Sequence, residues 1–126
     1  MPSQIEAVTT AALSAALDVA SRRHALVAAN IANAGTESFQ PLRLSFEAHL
    51  EEARGAWRDR GLWDTRLVDS LRSAAALPAE PVEGGSVHLD AEMAELARNA
   101  VQFQALAQGV SRHLSLLALA AADGRK

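Results

Sequence analysis

Apolar residues recur over the first 35 positions in two rows with helical spacing. Leu13, Leu17, Ala20, His24, Val27, Ile31 and Ala34 alternate steps of four and three, the signature of a heptad seam. A second row, Ile5, Val8, Ala12, Ala15, Val19, Leu26 and Ala29, keeps the same rhythm and is interrupted by Arg22. Two apolar rows on one helix predict burial on more than one side. Ser3 with Glu6 three residues later spells a capping box and predicts the helix start. Gly35 directly after Asn33-Ala34 predicts the stop, because glycine accepts the left-handed conformation that ends many helices.

The far end of the chain mirrors the first. Leu89, Met93, Leu96, Ala100, Phe103, Ala107, Val110, Leu114 and Leu117 again alternate steps of four and three. Asp90 is the expected N-cap, and Glu92 and Glu95 suit the positive end of the helix dipole. Gly124 and Arg125-Lys126 suit a helix C-terminus. Thirty helical residues span about 45 Å. The pattern predicts an all-α fold in which helices over 1–35 and 87–126 pair as an antiparallel coiled-coil hairpin and make one domain.

Residues 36–86 form an irregular middle segment. Phe46, Leu50, Ala53 and Trp57, with Ser45 as a cap, predict a short helix there. Gly55, Gly61, Pro78, Pro81, Gly84 and Gly85 break the rest into turns, and Leu77 to Gly85 reads as a flexible connector. Val87 and Leu89 alternate, so the chain is expected to enter the last helix extended.

Composition sharpens this picture. Of 126 residues 28 are Ala and 17 are Leu, five are aromatic and none is Tyr, which favours helix over a β-sandwich or barrel. Alanine fills little volume, so the core is thin for its length. Charge is concentrated in the middle: residues 5–34 carry four charged side chains, 87–122 carry five and 35–86 carry fifteen. The net charge of −3, with no basic stripe, argues against nucleic-acid binding. The absence of Cys excludes disulfides, cysteine-ligated zinc and thiol catalysis. The longest charge-free stretches, His24 to Thr36 and Asn99 to Ser111, both contain Asn and are too short to span a bilayer. The first residues lack a basic region followed by an apolar run, so no cleaved secretory signal is expected.

Candidate chemistry is sparse. His24, His49, His88 and His113 include no pair at metal-ligating helical spacing, and His24 reads as a packed or interfacial histidine. Glu51-Glu52 and Glu92/Glu95 read as a solvated face and a first-turn dipole effect rather than an acid–base pair. No nucleophile elbow, phosphate loop or dinucleotide fingerprint occurs. Trp57 and Trp63 suit local packing or the anchoring of a partner. The expectation is a protein without catalytic residues, cofactor, metal or small-molecule substrate. Asn30 and Asn33, close together near the end of the first helix, stand out. One of them can prepare the helix end, and a buried one can fix register.

These asparagines carry a resemblance. Ala29-Asn30-Ile31-Ala32-Asn33-Ala34-Gly35-Thr36-Glu37-Ser38-Phe39 resembles the N-terminal signature of bacterial flagellar rod and hook proteins, an Ala-Asn-Ile-Ala-Asn run followed by a Thr-Pro-Gly-Tyr turn. Asn30, Ile31, Ala32, Asn33 and Thr36 match it. Glu37, Ser38 and Phe39 stand where that family has Pro, Gly and Tyr. Val87 to Ala97, Phe103 to Leu106 and Ser111 to Leu117 resemble the closing helix of the basal-body rod proteins of the FlgB type, with His88 for a usual Asp and Phe103 for a usual Tyr. Leu44-Ser45-Phe46-Glu47 is similar to a short Phe-containing stretch of the family. Residues 54–85 lie outside the resemblance. The short length leaves no room for the β-rich domain of distal-rod and hook proteins.

The resemblance implies a structural subunit of the proximal rod, the part of the flagellar basal body next to the membrane ring, required for motility. It implies type III export without signal cleavage and a place in the periplasmic rod. Other rod subunits, the membrane ring, ring–rod adaptor proteins and the export apparatus are the implied partners. The terminal helices would form the inner coiled-coil layer of a self-assembling tube, with Leu13, Leu17, Val27, Ile31, Met93, Leu96, Phe103, Val110, Leu114 and Leu117 as packing and assembly positions and Phe39 closing the motif. The alternative is a soluble helical hairpin that binds one partner, such as an export chaperone or adaptor. Because an isolated hairpin cannot cover both rows of the first helix, ordering is expected to accompany assembly.

Overall fold

The computed structural model describes residues 2–44, 55, 58–59 and 65–124. Its elements are α1 (Pro2–Ala32), β1 (Leu42–Arg43), α2 (Thr65–Ala76), β2 (Glu80–Pro81) and α3 (Leu89–Asp123). The two long helices pack together and dominate the structure. They run antiparallel: Asn30 near the end of α1 meets Glu92 in the first turn of α3, and Thr10 meets His113. Of the expected helix around Phe46 to Trp57 only Gly55 is among the described residues, and it is helical; Trp57 and Trp63 lie outside them.

Helix boundaries differ from the sequence signals by small steps. α1 begins at Pro2, so Ser3 is already helical; proline fits the first turn, where its missing N–H has no helical partner. α1 ends at Ala32, before Gly35, and Gly35 is not left-handed. The left-handed residue of this connection is Ser38, with φ 66°. At the other end the N-cap of α3 is His88 in an extended conformation, and Asp90 lies inside the first turn. There the Asp90 carboxylate accepts the Ala91 N–H at 2.9 Å. Gly124 closes α3 in a right-handed conformation and donates its N–H to Ala120 O.

The middle of the second apolar row of α1 is covered within the chain, where it was expected to wait for a neighbour, and Ala29 at its end is exposed. Ala12, Ala15 and Val19 form a buried cluster with Leu44 after β1 and Val68 of α2. Val8, Ala11, Leu26 and Leu77 pack against its edge. α2 falls in the stretch that the glycines and prolines made read as turns. Its intrinsic preference is helical, with Leu67, Leu71 and three successive alanines. It ends just before Leu77, whose position ahead of Pro78 disfavours helix. Beyond it the connector is not featureless: β2 pairs antiparallel with β1, Leu42 opposite Pro81 and Arg43 opposite Glu80. Gly84 and Gly85 then turn the chain toward α3 through successive positive φ values of 95° and 67°, a path that side chains resist.

The first row of α1 faces α3. Ala20 and Val27 are buried, and Leu13, Leu17 and Ile31 are half-buried. His24, expected on this seam, is exposed. On α3 the side turned to α1 is displaced from the apolar row. Its two buried residues are Glu92 and Asn99, and Leu96, Leu106, Val110, His113 and Leu117 are half-buried. Leu96, Val110 and Leu117 belong to both rows. Leu89, Met93, Phe103 and Leu114 are 48%, 56%, 40% and 50% exposed.

Candidate functional site

Where α1 ends, four residues from three elements close a polar cluster. Asn30 is 1% exposed. Its Oδ1 accepts the Leu42 N–H at 3.1 Å and its Nδ2 donates to Leu42 O at 3.0 Å. One side-chain amide thus satisfies both backbone groups of a strand residue, as a neighbouring strand would. A buried backbone pair left without partners would cost about 1–3 kcal/mol per group. The same Nδ2 donates to Glu92 Oε2 at 3.3 Å, and Arg43 donates to Glu92 Oε1 at 2.7 Å. The Glu92 side chain is 4% exposed and the Arg43 side chain 45%. The cluster therefore fastens the end of α1, β1 and the start of α3 to one another, with the carboxylate paired rather than stranded.

The rest of the Asn-Ile-Ala-Asn motif builds the turn that brings the chain back to this point. Asn33 Nδ2 donates to Ala29 O at 2.8 Å, and the Asn33 backbone N–H donates to the same carbonyl at 3.1 Å. Thr36 donates its N–H to Asn33 O at 3.0 Å, and its hydroxyl lies 3.4 Å from Asn33 Oδ1. Phe39 is half-buried and donates its N–H to Thr36 O. Pro41, next in line before β1, is among the most buried residues of the chain. Ile31 is half-buried and Ala32 exposed. Of the two asparagines singled out in sequence, Asn30 joins elements and Asn33 closes the helix end.

Two further polar residues of α3 face α1. Asn99 is 1% exposed and donates from Nδ2 to Ala20 O at 2.9 Å. Its Oδ1 is buried and has no hydrogen-bond partner among the described residues. The Thr10 hydroxyl donates to Glu6 O at 2.9 Å, which leaves its oxygen to accept from His113 Nε2 at 3.0 Å. In the sequence Glu92 read as a first-turn dipole effect, and Asn99 and His113 were given no place on the seam. The signal that marks them is their own spacing: steps of seven and fourteen residues, polar each time, inside a helix that is otherwise poor in charge.

Between the β1–β2 ribbon and α3 lies an open groove of about 480 Å³, with Arg23, Val27, Arg43, Glu80, Glu95 and Asn99 among its walls. On its rim Arg98 pairs with Glu95 one turn earlier on α3. Among the described residues no three His, Cys, Asp or Glu side chains gather as a metal site, and no helix is long and apolar enough to cross a membrane.

A second flank of α3, turned to solvent, is the other candidate surface. Met93, Ala97, Ala100, Gln104, Ser111, Leu114 and Ala118 run along it, exposed and without a charge. The exposed large hydrophobic residues of the described chain, Leu89, Met93, Val101, Phe103, Leu114, Leu116 and Leu119, are all on α3. Small and apolar side chains in such a row allow another helix to approach to about 8 Å. No family model, no curated protein and no solved structure matches the chain.

Proposed function

We propose that this chain is a structural subunit of the bacterial flagellar basal body that polymerises into the proximal rod between membrane ring and distal rod. The observation that carries the reading is the bare side of α3. A helix of 35 residues packs one flank on α1 and leaves seven large apolar side chains at 40–68% exposure. Fully burying such a side chain is worth about 1.5–3 kcal/mol, so the solvent side of this helix, with Leu89, Met93, Phe103 and Leu114 along one flank, gains most when another subunit covers it. The resemblance of the Asn30 to Phe39 turn and of the α3 sequence to the rod family names the kind of assembly. Rod subunits, the membrane ring, ring–rod adaptors and the type III export apparatus are the partners in this reading, and the site of action is the periplasmic rod.

Deletion of the gene, scored by swimming and by electron microscopy of isolated basal bodies, tests it. The expected result is non-motile cells whose basal bodies lack a rod beyond the ring. Intact rods in the deletion strain overturn the proposal. A deletion strain that builds rods but exports its subunits poorly would point to the chaperone or adaptor alternative.

A further inference from the structure

We propose that Glu92, Asn99 and His113 are a register lock that holds α3 in one setting along α1. The large apolar residues shared by the seam, Leu96, Val110 and Leu117, stand fourteen and seven positions apart, with the exposed Phe103 at the intervening heptad step. Hydrophobic packing alone therefore reads almost the same after α3 slides by one heptad, about 10 Å. The polar residues do not repeat in this way. Glu92 meets the Asn30 amide, Asn99 the Ala20 carbonyl and His113 the Thr10 hydroxyl, while the fourth position of the series is Leu106. A slide of one heptad in one direction sets the Glu92 carboxylate against the Ala20 carbonyl, acceptor against acceptor. The opposite slide takes Glu92 away from Asn30 and Arg43 and carries His113 toward Ala16 and Leu17. Both wrong settings take Glu92 from Asn30 and Arg43 and His113 from Thr10, which is the way single polar residues select register in coiled coils. The unpartnered Oδ1 of Asn99 belongs to the same logic: this residue is a poor choice for packing and a good one for discrimination.

The chain has no cysteine, so a pair introduced at exposed Ser21 and Ser115 labels it cleanly with nitroxides. Distances are measured by pulsed electron paramagnetic resonance on the full chain, diluted with unlabelled protein. Otherwise unaltered protein is expected to give one distance population. The combined variant Glu92→Leu, Asn99→Leu and His113→Leu is expected to stay helical and to add a second population displaced by about 10 Å, one heptad of rise. A single unshifted population in that variant overturns the lock. Loss of helix by circular dichroism overturns it as well, because the polar pairs would then hold the fold together rather than choose among its registers. Asn99→Leu alone is expected to leave the melting midpoint unchanged or raised, and a lowered midpoint counts against the proposal in the same way.

Discussion

Asn30 holds both backbone groups of Leu42 in a single side-chain amide, at 3.0 and 3.1 Å, from a position that is 1% exposed. The amide is needed because one end must donate and the other accept. Asn30→Asp keeps the shape and removes the donor. It also places a carboxylate beside Glu92, which Asn30 now approaches with an N–H at 3.3 Å. Loss of the bonds and burial of a second acid are expected to lower stability by about 3 kcal/mol or more. Urea unfolding followed by circular dichroism reads this directly. A variant as stable as the parent would show that the β1 attachment adds nothing.

Arg43 and Glu92 form an unequal pair, one side chain 45% exposed and the other 4%. Removing the arginine leaves the carboxylate with the Asn30 N–H and no counter-charge. Arg43→Ala is expected to cost about 1–3 kcal/mol, less than a fully buried pair because water reaches the arginine side. Pairing it with Glu92→Leu should recover most of the loss, since the stranded charge is gone. A double-mutant cycle in urea checks the coupling, and additive losses would mean that the two residues act separately.

Ser38 occupies left-handed backbone at φ 66°. A residue with a Cβ pays about 1–2 kcal/mol there, which glycine avoids. Ser38→Gly is therefore expected to stabilise the chain by up to about 1 kcal/mol, part of the gain being lost to the greater freedom of glycine in the unfolded state. An unchanged or lowered midpoint in thermal unfolding would show that the Ser38 conformation carries no strain.

Much of this fold was legible because long helices announce themselves twice, by periodicity and by the scarcity of charge. Asn30 was legible as an anomaly, a weak helix former in an apolar stretch. Its partner Leu42 was not, because a bond from a side chain to a backbone leaves no mark on the partner's identity. The facing side of α3 was misplaced for a related reason. Periodicity selects the row with the most carbon, and here that row is turned partly to solvent. Glu92, Asn99 and His113 take inner positions that a tally of hydrophobic residues assigns to solvent. α2 escaped because its flanking glycines and prolines outweighed a short helical run.

Gly109 sits inside α3, where glycine costs a helix about 1 kcal/mol relative to alanine. Its packing does not require the missing side chain: a Cβ there would meet Leu13 Cδ2 at 3.9 Å, an ordinary contact. Gly109→Ala is expected to raise stability by about 0.5–1 kcal/mol with the hairpin intact. A destabilised variant in thermal unfolding would mean that the helices are closer at this level than 3.9 Å implies.

Val27 and Leu114 were both expected on helix seams, and the structure separates them. Val27 is 5% exposed and lies on the side of α1 turned to α3. Leu114 is 50% exposed on the bare side of α3. An aspartate at 27 puts a charge into a position that is 5% exposed, which is expected to cost several kcal/mol and to unfold the hairpin. An aspartate at 114 stays in water in the monomer and costs less than about 0.5 kcal/mol. In an assembly that covers this flank, the same charge is desolvated at every subunit. Leu114→Asp is therefore expected to leave helicity and melting unchanged while abolishing rod completion and swimming, whereas Val27→Asp loses both fold and function. Circular dichroism and a soft-agar motility assay distinguish the two effects. Normal swimming with Leu114→Asp would show that the apolar flank of α3 is not an assembly surface.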